Sequence, residues 1–179
     1  MELINLNNVM ETLEQYAQEV RNLYQDKLIE DDRIASGKLL NSIEYRVIHN
    51  GVEYEVQLTL EKYWKYLEHG VSGKDKNTDR PFKHTTWGAL NSILEWIMVK
   101  PVLPRPDKNG KLPTPRTLAG AITASLIKNG IEPGHEMEDA IQEVNARYKD
   151  KLVIALHKDM EVIMKVIVGD FKGSVPSGL

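Results

Sequence analysis

At 179 residues, 41% hydrophobic and 27% charged, the chain has the composition of a globular domain and is long enough to bury a sizeable core. It contains no cysteine, which excludes disulfide staples, thiolate metal sites and a cysteine nucleophile together. A net charge of −3 provides no overall field for nucleic acid, so any such contact has to be local. Apolar runs fall short of the roughly 18 residues of a membrane span, and the acidic start MELINLNNVMETLEQ lacks a signal-peptide pattern.

Residues 5–30 place Leu6, Val9, Met10, Leu13, Tyr16, Ala17, Val20, Leu23, Tyr24 and Leu28 three and four apart, which predicts a long amphipathic helix. Glu30-Asp31-Asp32 ends it, because three acids sit badly at the negative end of a helix dipole. Ser36 is then expected to cap a short helix over Lys38 to Asn41, with Gly37 easing the turn.

From Ile43 the period changes to two. Ile43, Tyr45 and Val47 alternate with Glu44, Arg46 and Ile48, and Asn50-Gly51 leads into a return run of Val52, Tyr54, Val56, Leu58 and Leu60. This predicts a β-hairpin with one apolar face, marginal by itself, for which the first helix is the expected cover. Glu61 to His69 reads as a short helix carrying a dense apolar patch of Tyr63, Trp64, Tyr66 and Leu67, stopped by Gly70. The segment VSGKDKNTDRPFKH reads as an exposed basic loop.

Thr85 or Thr86 is expected to cap a largely buried helix through Trp87, Leu90, Ile93, Leu94, Trp96, Ile97 and Met98, ending before Pro101. PVLPRPDKNGKLPTPR holds five of the eight prolines and predicts an extended excursion. Thr117 to Asn129 is expected to be helical and stopped by Gly130, Ile131 to Gly134 a turn, and His135 to about Ile167 a long closing helix. The fold class expected is α+β: a small antiparallel hairpin packed by the amino-terminal helix, with further helices toward the carboxyl end. As a single domain, the chain divides into a core over 1–100, a proline-rich arm over 101–116, a helical end over 117–168 and a flexible tail over 169–179.

Chemical motifs are sparse. The five histidines include no HExxH spacing, so a metal site would depend wholly on folding, and neither a metal nor a cofactor is expected. Gly70-Val71-Ser72-Gly73-Lys74 has two residues between its glycines where a phosphate loop has four. Glu136, Glu138 and Asp139 fall in the first turns of a predicted helix, where exposed N–H groups stabilise negative charge without any catalytic role. Glu68, among aromatic residues, is expected to take a structural hydrogen bond from a backbone donor or from a base such as Arg33 or Lys38. The hydrolytic alternative gives Glu68 a role with His69 or His84.

Ser36, Gly37, Leu39, Ser42 and Ile43 before the hairpin, and Tyr63, Tyr66, Leu67, Glu68 and Gly70 after it, resemble paired motifs of the tail-completion or tail-component family of tailed bacteriophages. The resemblance covers about residues 1–100. It implies a non-enzymatic virion structural protein of the neck or head–tail connector. Such a protein is assembled in the host cytoplasm, forms a homo-oligomeric ring, and docks to portal-side and tail-side proteins. On this expectation the partner-binding loops are 71–84 and 101–116, through Lys74, Lys76, Arg80, Lys83, Pro101, Pro104, Arg105, Pro106, Pro113 and Pro115, and they order on assembly. The alternative is a nucleic-acid-binding accessory protein using the same basic loops; under the first reading such contact is incidental, and no membrane partner is expected.

Overall fold

The computed structural model describes residues 6–34, 36–50, 53–75, 80–83, 89–100 and 102–173, with residues 166–173 as backbone. The chain forms an α+β fold divided into two compact units: residues 1–24, 44–59 and 139–179 make one, and residues 25–43 and 60–138 the other. No helix among the described residues is long and apolar enough to cross a membrane.

In the first unit, helix α1 (Asn7–Glu30) contributes Ala17, Val20 and Tyr24 to the interior, and the closing helix α6 (Glu136–Gly173) contributes Ala140, Val144, Tyr148 and Ala155. Both sets recur at helical spacing, so each helix turns one continuous stripe inward. Val20, Val144 and Tyr148 form the centre, surrounded by Tyr16, Leu23, Ile141 and Leu58. The Tyr16 and Tyr148 rings meet edge to face at 5.7 Å, the arrangement that sets a positive ring edge against a negative face. The Tyr16 hydroxyl donates to Asn145 Oδ1 at 2.9 Å.

Strands β1 (Glu44–His49) and β2 (Tyr54–Thr59) pair antiparallel, with Glu44 opposite Thr59 and His49 opposite Tyr54. Tyr45, Val47, Tyr54, Val56 and Leu58 are partly buried, while the residues between them point outward. The alternation predicted by the period of two therefore holds on both strands. Asn50 flanks the turn: its N–H donates to the Glu53 carbonyl at 3.3 Å, and its side-chain oxygen accepts the Glu53 N–H at 3.0 Å. Gly51 and Val52 lie outside the described residues.

A buried carboxylate closes the amino end of α1. Asp159, on α6, is only 5% exposed; one oxygen accepts the Asn8 N–H at 3.1 Å and the Asn8 amide at 2.6 Å, and the other accepts the Val9 N–H at 2.9 Å. These are first-turn N–H groups that no intrahelical carbonyl can reach. A remote side chain thus does the work of an N-cap, and α1 carries no acidic residue in its own first turn.

In the second unit α1 ends in a Schellman motif. Asp32 takes a left-handed φ of 51°, its N–H donates to the Ile29 carbonyl at 3.1 Å, and the Arg33 N–H donates to the Leu28 carbonyl at 3.0 Å. The adverse acids are offset by Lys100, whose ammonium lies 2.7 Å from both the Asp32 carbonyl and carboxylate oxygens. Helix α2 (Lys38–Ser42) is capped by Gly37 at φ 72°, without a side-chain cap, so the expected Ser36 cap is corrected; Ser36 Oγ accepts only a long 3.4 Å bond from the Lys38 N–H.

Helix α3 (Trp64–His69) is shorter than expected. After it, Val71–Ser72 forms strand β3, paired with β4 (Gly130–Ile131), where an exposed loop and a turn were expected. Both β3 residues are buried. Helix α4 (Ala89–Val99) packs on α5 (Pro115–Asn129). The expected burial of α4 is only partial, since Met98 is 73% and Val99 54% exposed. Thr85, Thr86 and Trp87 lie outside the described residues. Helix α5 begins earlier than Thr117, because the Thr114 side chain accepts the Thr117 N–H and Pro115 fills the first helical position. Helix α6 continues to Gly173, through the first residues of the expected flexible tail.

Burial pushes the Asp159 carboxyl up, but the bonds from Asn8 and from the Val9 and Asn8 N–H groups outweigh it, and the group titrates below its ordinary value. A lowered folded value gives stability that is complete above the unfolded value, about 3.9, and is lost as pH falls through the folded one. Urea unfolding of Asp159→Asn at neutral pH is expected to show a loss of about 1–2 kcal/mol, with a shallower fall in stability below about pH 4 than the unsubstituted chain shows. An equal fall in both would contradict the capping role.

Candidate functional site

The two halves of the paired motif come together in the second unit. Ser42 Oγ donates to the Leu39 carbonyl at 2.8 Å and accepts the Glu61 N–H at 3.0 Å, while Tyr63 makes a hydrogen bond to the Leu39 backbone. Leu39 and Ile43 are buried beneath this contact. Ser36 stays at the surface, and Gly37 provides the left-handed turn into α2.

Of the apolar patch, Trp64 and Leu67 are half-buried. Tyr63 and Tyr66 are 40% and 46% exposed, and the buried residue is the glutamate, Glu68, at 2%. Its carboxylate accepts the Met137 N–H on one oxygen and the Glu138 N–H on the other, both at 2.9 Å. Those are orphan donors of the first turn of α6. The positive end of a helix dipole faces a full negative charge there, a charge-assisted arrangement roughly twice as strong as a neutral pair. Of the roles expected for Glu68, the structure realises the backbone-donor one.

Two further bonds lace the same segments. The Gly134 N–H donates to the Leu67 carbonyl at 2.9 Å, and the His135 N–H donates to the Glu68 carbonyl at 3.4 Å. Arg33 is drawn to Glu136 instead of Glu68, with Nε 2.5 Å from Oε1. Glu136 is 1% exposed and neither of its oxygens receives a well-aligned hydrogen bond. Burial pushes its carboxyl up, its own backbone N–H and then the Arg33 charge oppose that rise, and the Glu68 and Asp31 charges add to it.

Gly70 makes the close approach possible. At φ 67° it has a conformation that L side chains avoid, and a Cβ there would fall 2.5 Å from the Ile131 carbonyl oxygen. β3 thus lies against β4 with no room for a methyl group. Its other edge is bonded as well: the Ser72 N–H donates to the Phe82 carbonyl at 2.8 Å, and Ser72 bridges to Lys83.

The residues expected to meet partners divide. Lys74 is exposed, although its N–H donates to the Ile127 carbonyl at 2.9 Å. Arg80 is spent internally: its guanidinium donates to the Ile131 carbonyl at 2.6 Å and the Val71 carbonyl at 3.3 Å, and pairs with Glu132. It clamps β3 to β4, so it is corrected from a partner-binding base to a structural one. Lys83 is exposed, and Phe82 beside it packs edge-on against Tyr66 at 4.7 Å. Residues 71–75 and 80–83 are therefore bonded into the unit within a single chain. Lys76 and Pro101 lie outside the described residues, and Pro115 belongs to α5.

The arm between α4 and α5 carries Pro104, Arg105, Pro106 and Pro113 outside regular structure, as expected. It folds back at an Asp107–Lys111 turn, where the Asp107 N–H donates to the Lys111 carbonyl at 2.9 Å and Asp107 Oδ1 accepts the Asn109 and Lys111 N–H groups. Leu103, at 93% exposed, and Leu112, at 58%, project from it. The proline count drew attention to the arm, whereas its two leucines carry the apolar surface. An apolar residue within a proline-rich polar stretch was the available signal.

The chain matches no family model, no curated protein and no solved structure.

Glu68→Gln replaces one accepting oxygen with an amide that confronts a backbone donor, so a buried N–H loses its partner. The expected cost in urea unfolding is about 2–3 kcal/mol, with early loss of helical signal. Stability within about 0.5 kcal/mol of the unsubstituted chain, the range of ordinary surface changes, would contradict the anchoring role.

Proposed function

We propose that the chain is a non-enzymatic virion structural protein of a tailed bacteriophage, acting at the head–tail junction by assembling into a ring of identical copies that docks between portal-side and tail-side proteins. The observation that carries this reading is the 102–114 arm, which holds Leu103 at 93% and Leu112 at 58% exposure on a self-bonded turn between two packed helices. An isolated chain gains nothing from leucines held in water; burying each against a neighbour is worth about 1.5–3 kcal/mol. Proline in the arm lowers the entropy lost on docking, and a repeated head-to-tail contact of this kind closes into a ring when its rotation permits.

The convergence of the motif halves supports the same reading. Glu68 and Gly70, central to the resemblance, have structural work that accounts for their chemistry without catalysis. Of the described bases offered for nucleic acid, Arg80 is committed to carbonyl groups, which leaves Lys74 and Lys83 as well as the arm's Arg105, Lys108 and Lys111.

Electron microscopy and native mass spectrometry of the purified chain test this. The expected outcome is a closed ring of identical copies, reduced to smaller species by Leu103→Asp together with Leu112→Asp, with circular dichroism unchanged. A chain that stays monomeric at all concentrations, and that is absent from particles, would overturn the proposal.

A further inference from the structure

Glu68 Oε, a His135 ring nitrogen and Glu138 Oε lie within 4.8 Å of one another at the amino end of α6. Three features distinguish this group from a surface ion pair. His135 Nδ1 and Glu138 Oε2 are 3.5 Å apart, longer than the usual charge-assisted hydrogen bond of about 2.7–2.9 Å. Two ligands of a tetrahedral ion with bonds of about 2.0–2.1 Å lie about 3.4 Å apart, which matches. Glu68 is held by two backbone N–H donors at 2.9 Å, the outer support that orients a ligating carboxylate. Each of its oxygens keeps a second lone pair.

The third feature is the chain path. His135 occupies a left-handed conformation at φ 64°, an uncommon one that histidine adopts more readily than most side chains. It brings the imidazole, on the residue immediately before α6, next to Glu138 in the helix's first turn. The His135 and Glu138 side chains are 50% and 60% exposed, so an ion has a path from solvent while the third ligand stays buried. The helix end presents a partial charge of about +0.5, and two full carboxylate charges outweigh it.

We propose that Glu68, His135 and Glu138 form a binding site for one divalent transition-metal ion of the zinc class, with water in the fourth position. One imidazole and two carboxylates suit zinc-class ions, whereas magnesium favours six oxygens in octahedral geometry. The ion bridges α3 to the start of α6 and fixes the exposed pair to the buried anchor. This inference rests on these residues and is independent of the ring reading.

The test is calorimetric titration of the metal-stripped full-length chain with Zn²⁺, alongside thermal unfolding with and without the ion. One Zn²⁺ per chain is expected, with Tm raised by several degrees. His135→Ala and Glu138→Gln, both at exposed positions, are each expected to weaken binding about tenfold or more, while His157→Ala leaves it unchanged. Absence of Zn²⁺ uptake would overturn the proposal, as would uptake that His135→Ala and Glu138→Gln leave intact, or Mg²⁺ binding as well as Zn²⁺.

Discussion

A helix of 38 residues has to begin somewhere, and its first N–H groups have no partners within the helix. In this chain the start of α6 is specified by a carboxylate nearly 70 residues away in sequence, delivered from the end of α3. Glu68 can reach Met137 and Glu138 only because Gly70 turns the chain without a Cβ, and because β3 and β4 approach too closely for side chains on the facing glycines. Arg80 then ties the two short strands through their carbonyl groups. The anchor, the glycine switch and the guanidinium clamp form one arrangement, in which each piece is costly without the others.

The same device recurs at the other long helix, where Asp159 supplies the cap that α1 lacks. Both caps are buried carboxylates on elements distant in sequence, and both charges are matched by backbone donors. Lone buried charges are expensive, and pairing with a helix end is among the cheapest ways to keep one. The fold thus places ionised groups inside without requiring catalytic chemistry of them.

Much of this was legible from spacing. Ala17, Val20, Tyr24 and Leu28 declare α1 by period, Tyr45 and Val47 against Tyr54, Val56 and Leu58 declare the hairpin, and Gly70 and Gly130 mark helix ends correctly. What escaped were features without a period. Two-residue strands such as Val71–Ser72 leave no alternation to count, so a buried strand reads as a glycine loop. Arg80 looks like a free base, because nothing local shows that carbonyl groups 9 and 51 residues away converge on it. Tyr63, Trp64, Tyr66 and Leu67 read from sequence as one apolar patch, but a helix of six residues buries one narrow side, where Glu68 sits with Trp64 and Leu67 half-covered and the two tyrosines exposed. In the candidate site, the motif residues and a backbone-donor role for Glu68 could be named from sequence; the identity of the donors, Met137 and Glu138, and the Arg33–Glu136 pair required three dimensions.

The central claim is that Glu68 holds the first turn of α6, and amide hydrogen exchange tests it most directly. First-turn N–H groups of a helix ordinarily exchange quickly because they lack acceptors. The structure predicts that the Met137 and Glu138 amides in the full chain at neutral pH are protected to the level of the helix interior, and that Glu68→Gln removes the protection of at least one of them while the mid-helix amides around Val144 remain slow. Rapid exchange of Met137 and Glu138 in the unsubstituted chain would contradict the account.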